Sequence, residues 1–399
     1  MSSRGELVVV GGGLAGLVAA VTAAEAGADV RLLEAHPRLG GRARSTPAPF
    51  VANDGPHVLY ADGPAWAWLS RRGLTRPSRR LSFSAAGGIR FRRDGRLRAA
   101  PPAGLLRLLA GRARTAPVGT DFRSWVAGVL GDEAAAAASS FAGVVTYTAD
   151  PGRLSAAFVW ERLLRVTNPT GGPRYLVGGW AALVDRLADH ARGLGVRIEV
   201  GSPVPTLPDG PTVVATSLPA VRTLLGRPLA TPAVGGSTML LDVVVERRRG
   251  DAFIVSDLDE AGWLEGFSRV DPTLAPAGCV LVQAHRPLRE GEDRAASSAA
   301  LEEFVGLGVP GWRGRTVWRR DAVARGRTGA LDLPGCTWRD RPGIDQGDDV
   351  FLAGDEVAAP GLLAEVSVAS AVTAATAAAE RLARAGGRRR TGPRAARRA

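Results

Sequence analysis

The pattern of apolar and polar positions changes character several times along the chain. Leu7–Val10 is a short continuous apolar run, as a strand buried on both faces requires. Leu14–Ala26 is an Ala, Leu and Val stretch of helical length, and Asp29–Leu33 is apolar again, so the three predict a β-α-β unit. Similar short runs return at Val196–Val200, after a helix over Trp180–Leu194, at Thr212–Thr216 and at Val350–Ala353. The last is followed by an Ala-rich helix over Leu362–Ala385. Between them lie two tracts richer in Trp, Pro and Arg. This alternation predicts an α/β fold with a doubly wound parallel sheet, assembled from residues 1–62, 176–234 and 341–385. A second domain of α+β type is inserted as 63–175 and 235–340, and 386–399 reads as an Arg-rich disordered tail.

The first strand-to-helix junction carries candidate chemistry. Gly11, Gly13 and Gly16 form G-x-G-x-x-G: the first lets the chain turn, the second lets backbone approach a pyrophosphate, and the third lets helix pack on strand. Leu14 and Ala15 open the helix, whose N–H groups and positive dipole end suit phosphate. Glu34, with Ala35 beside it, ends the second strand where a carboxylate accepts hydrogen bonds from ribose hydroxyls, which argues against the 2′-phosphate of NADP. The unit is Rossmann-like, and NAD and FAD both remain open at this point.

The continuation separates them. Gly40, Gly41 and Arg42 place a second glycine turn and a planar donor fork within a few residues of the acid, which a plain NAD dehydrogenase does not need. Here the sequence resembles the flavin-containing amine oxidase and phytoene desaturase superfamily. The resemblance extends to Gly55, Pro56 and His57, along the isoalloxazine edge in that family, with His57 the candidate proton carrier. It extends also to Val204, whose backbone position in relatives meets adenine, and to Gly354-Asp355, where the aspartate meets the ribityl chain. Gly361, Leu362 and Leu363 follow, at a helix start that lies beside the pyrimidine ring in relatives. The resemblance implies FAD as cofactor, a FAD-binding domain with an inserted substrate-binding domain, and hydride transfer from an isoprenoid-like or amine substrate to flavin N5, with oxygen or another acceptor closing the cycle.

Composition narrows this reading. All 51 basic residues are arginine, so a lysine-dependent mechanism is excluded, including the lysine near N5 of typical amine oxidases. That absence favours the desaturase-like or hydroxysqualene dehydroxylase-like branch. The formal charge is +12, but six arginines follow Gly387 and without them it falls to +6, so no nucleic-acid partner is expected. Two cysteines and four scattered histidines give no disulfide framework and no metal-ligand spacing. Three consecutive glycines interrupt the apolar run Leu7–Ala24, which is therefore a strand and helix and not a membrane span, and the chain is expected in the cytoplasm.

The inserted domain should choose the substrate. Trp160, Tyr175 and Trp180 are the candidates for lining a cavity for a small, apolar substrate. The stretch "PPAGLLRLLAGRART" has the amphipathic character of a surface helix, and a peripheral contact with the inner membrane face is its other reading. Two competing functions remain: an NAD-linked dehydrogenase using the first motif alone, and a non-redox binding protein of flavin fold, comparable with the GDP-dissociation inhibitors.

Overall fold

A computed structural model describes residues 5–54, 58–81, 87–168, 171–326 and 329–390. The chain forms two compact units. The first comprises Met1–Arg42, Val184–Ala230 and Arg341–Ala399, the second Ala43–Leu183 and Thr231–Asp340.

The first unit is built on a five-stranded parallel sheet. Its strands are β1 (Glu6–Val10), β2 (Asp29–Glu34), β3 (Arg197–Val200), β4 (Thr212–Val214) and β5 (Val350–Leu352), in the order β5-β4-β1-β2-β3. Helix α1 (Leu14–Glu25) makes the crossover from β1 to β2, and α2 (Ala364–Arg390) follows β5 and packs against α1. Leu7, Val9 and Leu32 are fully buried, as strands covered on both faces favour, and Leu17 of α1 is buried with them. Chain order reverses on either side of β1, which makes the carboxyl ends of β1 and β4 the topological switch point.

The second unit joins three parts. A seven-stranded sheet has the order Thr316–Arg325, Ser237–Glu246, Cys279–Pro287, Trp263–Glu265, Ile254–Asp257, Ile89–Arg93, Arg96–Arg98. Helix Arg294–Gly308 covers one face, where Leu301, Phe304 and Val305 meet Leu241, Val243 and Val245. A helical core gathers Phe122, Val126, Trp160 and Leu163 from helices Phe122–Leu130 and Ala156–Val166. A small antiparallel sheet pairs Val58–Tyr60 and Ser78–Arg80 with the two edges of Pro173–Leu176.

The sequence reading carried the first segment to 62, whereas the compact units divide at Arg42. After that residue the chain folds back on itself at Ser45 and Asn53, and Ala52 enters a core with Tyr175 and Phe267. The second middle boundary likewise falls at Leu183 and not at 176. At the other end α2 continues through Arg390, so residues 386–390, assigned from sequence to the tail, have helical backbone. Arginine is a good helix former and its charge suits a helix carboxyl end. No described helix is long and apolar enough to cross a membrane, and no described cluster of His, Cys, Asp and Glu could hold a metal.

Candidate functional site

At the carboxyl end of β1 the two glycine turns are fastened to each other. Gly11 has φ +106°, and its N–H donates to the Leu33 carbonyl at 2.7 Å. The Gly40 N–H donates to the Gly12 carbonyl at 2.8 Å, and Gly13 and Gly40 form a parallel bridge. Glu34 closes this loop from the side: Oε2 accepts from the Gly12 N–H at 2.6 Å and Oε1 from the His36 N–H at 2.7 Å. A carboxylate has about four lone-pair positions, so these two bonds leave acceptor capacity for hydroxyl groups.

The glycines have unequal tasks. A Cβ at Gly16 would lie 1.8 Å from the Gly11 carbonyl oxygen, and one at Gly11 would lie 2.5 Å from the Ala215 carbonyl oxygen, so both are fixed by close packing. At Gly13 nothing is nearer than the Gly41 Cα at 3.9 Å. Gly13 is the N-cap of α1, and no side chain caps that helix, whose first turn contains no acidic residue. A Cβ there would make only ordinary contacts, over a helix amino end whose N–H donors have no side-chain acceptor.

Three further predicted positions meet the same unit. Arg42 forms an ion pair with Asp355. The Gly354 N–H donates to Ser370 Oγ at 3.0 Å, tying the turn after β5 to α2. Ser202, two residues before Val204, donates its N–H to the Glu34 carbonyl at 2.8 Å, so the chain bearing Val204 leaves β3 beside the end of β2. Val204 itself packs on the core of Val10, Leu33 and Val214. Pro360-Gly361 does not open α2 directly. Gly361 has φ +117° and Leu363 φ +52°, the buried Leu362 donates its N–H to Glu365 Oε2 at 3.1 Å, and the helix begins at Ala364. Ala35 is exposed. Gly55, Pro56 and His57 lie outside the described residues.

The second unit holds a buried polar row that the sequence reading missed. Register places Arg320, Asp242, Gln283 and Glu265 side by side on four adjacent strands. Arg320 Nε and Gln283 Nε2 each donate to the Asp242 carboxylate at 2.7 Å, and Arg320 also pairs with Asp54. Glu265 accepts from Tyr175 Oη at 2.6 Å and from Trp263 Nε1 at 3.1 Å. Burial pushes its carboxyl up to about 7, although both donors act the other way. Burial likewise pushes Asp242 up to about 6 against the opposing effect of Arg320. Tyr147, in the left-handed region at φ +49°, stacks on His285 with ring centroids 4.2 Å apart. Burial raises the Tyr147 and Tyr175 hydroxyls, and Glu265 adds to both shifts, as does Tyr60. Tyr147 and Tyr175 therefore both feel Glu265, and Tyr60 lies near enough to act on both tyrosines. An aspartate within "STMLLDVVVE" and the alternating polar residues of "CVLVQAHRP" were the available signals.

The three predicted substrate residues are not brought to one place. Tyr175 belongs to this cluster. Trp160 lies in the helical core, edge-on to Trp125 at 5.6 Å, with its Nε1 donating to the Arg114 carbonyl at 2.9 Å. Trp180 is buried, and its backbone N–H donates to Asn53 Oδ1 at 3.0 Å. Helix Ala103–Ala110 turns Leu105 and Leu108 into the core and leaves Leu106 51% exposed.

Comparison with known proteins agrees with this geometry. Residues 9–72 match the family model described as an NAD(P)-binding Rossmann-like domain. An oxidoreductase from Methanosarcina mazei aligns at a TM-score of 0.73 with 17% identity, over 92% of this chain and 99% of its own. Cyclohexylamine oxidase from Brevibacterium oxydans aligns at 0.68 with 15% identity, over 96% of this chain and 100% of its own. The chain therefore shares the fold of these proteins. A reduced UDP-galactopyranose mutase also aligns, at 0.67 with 13% identity, over 97% of this chain and 94% of its own. At such identities the likeness is one of fold alone. A comparison with curated proteins finds no match.

Proposed function

We propose that the protein is an FAD-dependent oxidoreductase acting on a small amine. The uncapped amino end of α1 at Gly13 carries the cofactor part of this reading, since the helix supplies no side-chain acceptor there and a Cβ at Gly13 would meet nothing closer than 3.9 Å. The uncapped α1 amino end would hold the pyrophosphate, Glu34 the adenosine ribose, and Asp355, held by Arg42, the ribityl hydroxyls. Bound FAD would supply a two-electron acceptor for a hydride leaving the carbon next to nitrogen.

Glu265 supports the amine over the isoprenoid. A polyene has no group with which to meet a buried carboxylate, whereas an ammonium ion would stabilise its charged form and lie against phenol rings. Ionised Glu265 would bind and orient the ammonium, and Tyr175 and Trp263 would hold the carboxylate in place. The lack of lysine does not weigh against this, because the role assigned to the chain is to bind a cation.

The test is an absorbance spectrum of the purified protein with identification of the released chromophore, then anaerobic titration with cyclohexylamine, putrescine and an apolar polyene. The expected result is released FAD and bleaching by an amine. A colourless protein that takes up no added FAD overturns the cofactor reading, and bleaching by the polyene alone overturns the substrate class.

A further inference from the structure

Strand pairing in the small sheet of the second unit sets two arginines against each other. Arg80 lies directly opposite Arg174 in the antiparallel register. Directly opposed residues share a face, and like charges so placed are destabilising. Arg174 is only 7% exposed, and its Nη1 is fixed on the carbonyls of Gly172 and Pro173 at 2.9 and 3.2 Å. Burial holds its guanidinium below the usual arginine range, Arg80 lowers it further, and Asp62 acts in the opposite sense.

Both residues border a cavity of about 470 Å³, which Arg76, Thr75, Ser78 and Trp66 also line. No carboxylate is among the described lining residues. Guanidinium groups offer only donors, hydroxyls offer one each, and several arginine forks suit a multi-oxygen anion. The volume is that of a small-molecule site, well beyond the needs of a simple ion. Three fixed positive charges match a phosphate dianion better than a carboxylate.

We propose that this cavity binds the phosphate group of an organic phosphate monoester, with Arg76, Arg80 and Arg174 as its donors and Trp66 as the wall for the organic part. The proposal is independent of the flavin and amine readings. It gives the Arg80–Arg174 repulsion a use, because the cost to the free protein is recovered when the dianion enters.

The test uses the full chain in the presence of saturating FAD, so that phosphate esters do not compete for the glycine turns. Phenyl phosphate is titrated by calorimetry at fixed ionic strength, and a second arm measures sedimentation with vesicles of phosphatidic acid in phosphatidylcholine. Saturable phenyl phosphate binding identifies a free ester as the ligand, and Arg80-dependent sedimentation identifies a lipid headgroup. Arg80→Ser, at an exposed position, should weaken whichever binding is seen by tenfold or more. Its ligand-free melting temperature should equal or exceed that of the parent, since the repulsion is gone. Arg174→Gln should weaken binding in the same way. Absence of binding in both arms, affinity that follows ionic strength alone, or affinity kept within twofold in Arg80→Ser overturns the proposal.

Discussion

The glycine turns of the first unit and the carboxylate cluster of the second are both candidate binding sites, yet they are built in opposite ways. The first is made of backbone: Gly11, Gly13, Gly16, Gly40 and Gly41 lie within 31 residues, and its donors are N–H groups. The second is made of side chains from residues as far apart as Tyr147 and His285, brought together by strand register within one sheet and by packing of Tyr147 and Tyr175 from outside it. A backbone site responds to added volume, position by position, whereas a side-chain site depends on charge and hydrogen bonding. The two therefore respond to different substitutions.

The largest effect is expected within the glycine set. Gly16→Ala forces a Cβ to 1.8 Å from a backbone oxygen and should destabilise the fold by at least about 4 kcal/mol, read by chemical denaturation. The Cβ of Gly13→Val meets only the Gly41 Cα at 3.9 Å and the Gly40 carbonyl oxygen at 4.0 Å, so the substitution should cost the fold about 1 kcal/mol, the scale of an N-cap change. It should nevertheless abolish flavin retention, read as the flavin-to-protein ratio. Flavin content unchanged in a folded Gly13→Val variant would remove the α1 amino end as the cofactor site.

A smaller effect tests the carboxylate cluster. The folded Glu265 carboxyl sits near 7, above its unfolded value of about 4.5, so the folded state binds the extra proton between those pH values. Stability should therefore fall as pH rises through that window, by about 3 kcal/mol from this group, and level off above it. Asp242, raised to about 6, adds to the same slope. Glu265→Gln should remove the larger share of it, and an unchanged pH dependence of unfolding in that variant would place the carboxylate in an ordinary environment. In the flavin-loaded protein the same substitution should weaken amine binding most above pH 7, where Glu265 is charged.

The smallest effect separates the two aromatic environments. Trp160→Phe loses the hydrogen bond to the Arg114 carbonyl and part of the helical core, and should cost about 1–3 kcal/mol with amine KM unaltered. Tyr175→Phe should instead alter amine KM, because it frees one oxygen of Glu265. If Trp160→Phe shifts KM and Tyr175→Phe does not, the assignment of the substrate site is reversed.

Much of the first unit was legible from local pattern. The runs at Leu7–Val10, Asp29–Leu33 and Val350–Ala353 coincide with β1, β2 and β5 to within one residue at either end, and the glycine spacing fixed where the turns would come. Hydrophobic periodicity and glycine chemistry act over a few residues, so the chain carries them openly. Trp160, Tyr175 and Trp180 show the limit. In sequence all three are simply large aromatics, and only packing separates the helical core around Trp160 from the carboxylate beside Tyr175.

By itself, then, the sequence determined the β-α-β unit, the paired glycine turns, the acid that ends β2 and the absence of lysine chemistry, because each depends on neighbouring residues or on composition. Tertiary structure decided that Glu265 lies beside Gln283, that Asp242 is matched by Arg320, and that Arg80 faces Arg174. Each of these depends on which residues lie opposite one another across strands, and a shift of one position would turn every such side chain to the other face of the sheet.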